Sequence, residues 1–253
     1  LASLAESSGR NLSFWAQQWL KTTGINTFAV ELDTDDAGVI TTAQLVQRGE
    51  TLRTHRAGVG IYNLVDGKAV RTDRIEMDID GEYTDIPQLV GRKEQDIDFL
   101  LPNDDDLTYA LIELDSKSLE FMVENIDKFA DPMARTLCWS AAWEMTRGGT
   151  MRARDFVALV ARGAAAETEL AVLERIVQQA ASAQFNYADP AWAKESTLLA
   201  DALLAGTQDE DPERSIVFAQ ALAKIRLTEG TRAFLQDVLD SSDDEGLRWY
   251  AIA

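Results

Sequence analysis

Residues 103–115 read NDDDLTYALIELD, and on the reading of this stretch the fold turns. Three consecutive aspartates precede a short apolar run, and everything before the run differs in texture from everything after it. A calcium loop needs oxygen ligands at alternating positions, a glycine for its sharp turn and a distant bidentate glutamate. Asp104, Asp105 and Asp106 are consecutive, no glycine follows, and a strand begins at once. Consecutive side chains on an extended chain point in opposite directions. The stretch therefore reads as a solvated, self-repelling turn leading into a last strand, with no metal site.

Upstream, roughly 27–114, the period is that of strands. Phe28, Val30 and Leu32 alternate with Ala29 and Glu31, and Ile75, Met77 and Ile79 with Glu76, Asp78 and Asp80. Asp66-Gly67 and Asp80-Gly81 stand between such runs and supply the positive φ angles of tight hairpins. Several short strands at this spacing predict an antiparallel β-sandwich. A short helix precedes them at about 11–23, with Leu12, Trp15 and Trp19 on one face and Gly24 as its stop.

Downstream of Ser116 the period is helical. Leu119, Met122, Val123, Ile126 and Phe129 make one stripe. Leu170, Leu173, Ile176 and Val177 make a second, and Phe218, Leu222 and Ile225 a third. Asp-Pro at 131–132, 189–190 and 211–212 opens a helical pattern each time, aspartate capping and proline at the first helical position. Gly148-Gly149, Gly206 and Gly230 read as stops. Short helices with short loops predict an irregular, HEAT-like α-helical solenoid. The expected division is 1–26 as the last helix of a preceding domain, 27–115 as the sandwich and 116–253 as an incomplete helical domain.

Composition narrows the function. Of 253 residues 46% are hydrophobic and 26% charged, which supports a packed core. The net charge of −19 repels phosphate backbones and anionic lipid, so neither nucleic acid nor membrane is an expected partner. No apolar run approaches the roughly 20 residues of a membrane span. A single cysteine, Cys138, suits a reducing, cytoplasmic setting. The start at Leu1 and the close on EGLRWYAIA raise the expectation of a segment cut from a longer polypeptide.

No residue qualifies as catalytic, cofactor-binding or metal-ligating. His55 is the sole histidine, between basic neighbours, and no Gly-x-Ser-x-Gly elbow accompanies it. Cys138 sits mid-helix between Leu137 and Trp139, where core packing suits it better than thiolate chemistry. Trp139 and Trp143 read as helical core, and Gly58-Val59-Gly60 as a bulge. Arg135, Arg147, Arg152, Arg154 and Arg162 include candidates for anchoring a carboxylate.

Several phrases resemble the zinc aminopeptidase N family, especially its actinobacterial members. FWAQQWLKTTGINTFAVEL (14–32) is similar to the junction where the last helix of the catalytic domain enters a β-sandwich. LLPNDDDLTYALIELD (100–115) resembles the end of that sandwich, and DKFADPMARTLCWSAAWEMTRGGTMRARDFVALVARGAAAETEL (127–170) the opening of the C-terminal helical domain. Many members have Gly-x-Pro where this chain has Gly24-Ile25-Asn26. The resemblance implies a non-catalytic C-terminal segment that encloses the active-site chamber of a gluzincin aminopeptidase and limits peptide access. It places the His-Glu-x-x-His zinc site, and so the zinc, in a missing catalytic domain. That domain and peptides would be the partners, and this chain alone would be inactive. The alternative is a freestanding helical-repeat module that binds a protein partner.

Overall fold

A computed structural model describes residues 1–9 and 11–252. Two helices, α1 (Ala2–Ser8) and α2 (Ser13–Leu20), lead into seven strands: β1 (Asn26–Thr34), β2 (Ile40–Arg48), β3 (His55–Val65), β4 (Lys68–Ile79), β5 (Tyr83–Asp85), β6 (Phe99–Asp104) and β7 (Ala110–Ile112). Nine α-helices follow among the described residues: α3 (Ser116–Asn125), α4 (Pro132–Gly148), α5 (Ala153–Gly163), α6 (Leu170–Ser182), α7 (Pro190–Glu195), α8 (Leu198–Gly206), α9 (Pro212–Leu222), α10 (Glu229–Ser241) and α11 (Glu245–Ile252). After α2 all strands precede the remaining α-helices, with the change between Ile112 and Ser116.

The strands form two sheets, ordered β5-β2-β1-β7 and β4-β3-β6. One apolar cluster draws on both: Phe28, Val30 and Leu45 from the first sheet, and Val59, Ile61, Ile75 and Leu100 from the second. The Asp66-Gly67 turn closes the β3–β4 hairpin, with Val65 opposite Lys68 and φ angles of 49° and 77° at the two turn residues. Asp80-Gly81 has another role. It joins β4 to β5, whose partner is β2 in the other sheet, so this turn carries the chain between sheets and does not close a hairpin. β4 is an edge strand twelve residues long; Arg71, Asp73, Glu76 and Asp78 are exposed along it.

The chain divides into two compact units, Leu1–Ala141 and Ala142–Ala253, so the strand-to-helix change is not where compactness breaks. In the first unit α3 lies on β6. Its buried Ser118 hydroxyl accepts from the Leu100 backbone N–H at 3.0 Å, and Asp115 caps the helix by accepting from Ser118 N at 2.9 Å. Phe99, Phe121 and Phe129 meet there, joined by Tyr62, with ring centroids 5.1–6.1 Å apart. This aromatic group ties the first helical residues to the sheets.

In the second unit α6 buries Leu173, Ile176 and Val177 as one stripe, and α9 buries Phe218 and Leu222. The Asp-Pro starts are built as the residue types demand. Asp131, Asp189 and Asp211 each accept backbone N–H groups at the head of α4, α7 and α9. Gly149 (φ 81°) follows α4 as a left-handed stop. Gly230, expected as a stop, lies in the first turn of α10, where the preceding Thr228 forms a capping box with Thr231. Gly206 ends α8 for a packing reason: a Cβ there would run into the Phe218 ring, itself almost wholly buried. Gly206→Ala is expected to lower the unfolding free energy by about 1–3 kcal/mol, read from urea denaturation. An unchanged midpoint would show that the ring yields freely.

Candidate functional site

α2 buries Ala16 and half-buries Trp19, while Phe14, Trp15 and Leu20 remain exposed; the predicted Leu12–Trp15–Trp19 stripe is thus only partly the inner face. Eight residues with one buried side chain are a poor helix by themselves. What holds α2 is Arg53. Its guanidinium is buried and donates to the carbonyls of Gln18 and Thr23 (3.1 and 2.8 Å), to Thr22 Oγ1 (2.7 Å) and to Asn26 Oδ1 (3.0 Å). It also lies 5.3 Å from the Trp19 ring centroid. A cation at the C-terminal end of a helix satisfies carbonyls that have no intrahelical donor.

His55 completes this network. Gln47 donates its amide to the carbonyls of Arg53 and Gly81, and Asn26 donates its amide to that of Thr51. Both side-chain oxygens are thereby turned toward His55 Nε2, at 3.0 and 3.2 Å. Two acceptors at Nε2 place the proton there, and Nδ1 accepts from the Thr108 hydroxyl at 2.8 Å. The ring edges meet Trp19 and Phe28. Burial, aided by Arg53, lowers the imidazole pKa to about 4. Both nitrogens are engaged, so His55 has neither a lone pair for a metal nor a nucleophile to activate.

The aspartates are less solvated than the alternation argument predicts. Asp104 is buried. It accepts from the Tyr62 hydroxyl at 2.7 Å and from Arg71 at 2.6 Å, and Arg71 and Arg74 also hold Asp105 at 2.7 and 3.0 Å. Left-handed φ angles at Asn103, Asp105 and Asp106 break the strand period, so neighbouring carboxylates converge on the same arginines. Asn103 supports the turn by pairing with Thr108 through both amide atoms. Gly58 and Gly60 make room for this cluster. Cβ atoms there would lie 2.7 Å from Arg74 Nη2 and from Asp104 Cγ, and the β3–β6 register shifts at Gly58/Val59.

Cys138 is fully buried, its thiol pushed well up by desolvation, and Trp139 is buried beside it. Among the described residues no group of three or more His, Cys, Asp or Glu could hold a metal ion. No described helix is long and apolar enough to cross a membrane.

Of the arginines proposed as anchors, Arg135 is buried and donates to the Phe129 carbonyl at 2.9 Å. Arg147, Arg152 and Arg154 line one cleft of about 450 Å³ in the second unit, together with Tyr187, Asp189 and Trp192; Arg162 does not line it. The cleft borders a π-helical turn, Ala183–Tyr187, which continues α6. Such turns recur at functional sites, and no motif in the sequence announced this one.

A family model described as the ERAP1-like C-terminal domain matches residues 99–246. An aminopeptidase N of Streptomyces lividans is 38% identical over 271 aligned residues, which take in 98% of this chain and 31% of that protein. The chain thus spans under a third of the length of that relative.

The buried neutral histidine sets a pH dependence. The unfolded chain takes up a proton near the ordinary histidine pKa of 6.5 and the folded chain only near 4, so stability falls as pH drops between those values. The gap corresponds to about 3 kcal/mol at full effect. Asp73 and Glu76, held low by Arg92, Arg74 and Arg56, lose their contributions only as they protonate at lower pH. Urea midpoints measured from pH 7 to 4.5 are expected to fall for the parent chain and to flatten in His55→Gln. Equal slopes would remove His55 as the cause.

Proposed function

We propose that this chain, which belongs to the ERAP1-like C-terminal domain family, is the non-catalytic closing part of a larger zinc-dependent aminopeptidase that removes N-terminal residues from peptides. Coverage carries the reading: nearly the whole chain has its counterpart in a small share of an aminopeptidase N. The zinc and the catalytic groups then belong to the remainder of the polypeptide, and this chain alone is inactive. Residues 1–26, which hold α1 and α2, contain the last helix of the preceding catalytic domain, 27–115 form a β-sandwich spacer, and 116–253 an irregular HEAT-like array, all in a cytoplasmic enzyme.

The outer side of α2 supports this arrangement. Phe14 and Leu20 are 64% and 63% exposed, on a helix whose inner side is anchored by Arg53. An anchored helix with outward apolar residues is suited to being covered, and the catalytic domain is the proposed cover. The helical part encloses the chamber, restricting entry to peptide ends and flexible chains. Closure excludes water and strengthens the electrostatics around the reacting groups. The net charge of −19 favours cationic peptide amines over other substrates.

The test separates the polypeptide into its catalytic portion and this chain. Adding the chain to the catalytic portion is expected to raise leucyl-anilide hydrolysis, narrow the preference for peptide length and give co-elution. Phe14→Asp with Leu20→Asp is expected to weaken that association at least tenfold. No co-elution and unchanged hydrolysis would overturn the reading in favour of a freestanding helical-repeat interaction module.

A further inference from the structure

We infer that the cleft lined by Arg147, Arg152 and Arg154 binds a small phosphomonoester carried on a planar ring. The inference rests on the cleft's own geometry and goes beyond the peptidase reading. Three guanidinium groups within eight residues of sequence border one concavity, in a chain whose net charge is −19. Arg147 Nη1 donates to both oxygens of Glu144 at 3.0 Å, and Arg152 Nε donates to Asp155 at 2.6 Å. Arg154 Nε stands 3.8 Å from the other Asp155 oxygen, beyond hydrogen-bond distance. Among the described residues the terminal nitrogens of Arg152 and all three nitrogens of Arg154 have no acceptor.

The carboxylate that lines the cleft does not meet this demand. Among the described residues Asp189 pairs with none of the three arginines; its Oδ1 caps α7, accepting from Ala191 N and Trp192 N at 2.9 and 3.1 Å. One carboxylate ligand would occupy one guanidinium fork. A phosphomonoester presents three charged oxygens and can engage several forks at once. The remaining walls suit the ring. Tyr187 and Trp192 line the cleft, and Tyr187 is held edge-on to Trp143 at 6.0 Å, which in turn meets Phe156 at 5.4 Å. A volume of about 450 Å³ exceeds what inorganic phosphate fills and lies within the range of small-molecule sites.

Titration calorimetry of the whole chain at low ionic strength, with phenyl phosphate, inorganic phosphate and benzoate as probes, tests this. Phenyl phosphate is expected to bind at least tenfold tighter than either of the others. Arg152→Ala with Arg154→Ala, at exposed positions whose loss leaves the fold intact, should weaken it at least tenfold with an unchanged ligand-free melting temperature. Trp192→Ala should reduce the advantage of phenyl phosphate over inorganic phosphate. Benzoate binding as tightly as phenyl phosphate, no saturable binding, or full binding by the double variant would each overturn the assignment.

Discussion

A buried guanidinium that pairs with no carboxylate among the described residues organises the first unit. Arg53 is nine-tenths and more removed from water and is held by carbonyl, amide and hydroxyl oxygens alone. Desolvating a cation is costly unless its donors are met, so those acceptors must all be in place together. They come from the end of α2, the loop after it and the first residue of β1. The helix, the loop and the sheet consequently have one joint arrangement, and α2 is held although it buries little. The same charge disfavours protonation of His55, whose neutral ring then accepts from Thr108 in the loop before β7.

That loop leads to the second polar group of the unit. Tyr62, Asp104, Arg71, Arg74 and Asp105 are gathered over Gly58 and Gly60, and the two glycines are explained by the space the charged groups occupy. Both polar networks draw on the stretch 103–115, one through Thr108 and the other through Asp104 and Asp105. The aromatic group around Phe99 and Phe129 joins the first helical residues to the sheets within that unit.

The sequence made the coarse order of the fold legible because periodicity and capping are local. The Asp-Pro starts, the Asp66-Gly67 hairpin and the apolar stripes each follow from residues a few positions apart. Partnership across the chain was not legible. Asp80-Gly81 looks the same in sequence whether it closes a hairpin or carries the chain to another sheet, and only the pairing of β5 with β2 distinguishes them. The convergence of Asp104 and Asp105 depended on left-handed residues that period-2 reasoning assumes absent. His55 was read through its basic neighbours, which gave the correct direction for its protonation, but the amide oxygens that select its tautomer come from strands distant in sequence. The cleft arginines were named singly; their meeting with Tyr187 depends on a π-turn that leaves no residue signature.

The long edge strand β4 has a consequence for the life of the protein before it is folded. Its exposed charged positions, Arg71, Asp73, Glu76 and Asp78, lie along one free border. A second copy laid beside it in register would bring like charges face to face, at the spacing where strands stack into fibrils. A nascent or partly melted chain thus carries on its most extendable segment a built-in resistance to templated self-association, and the apolar strands behind it inherit that protection.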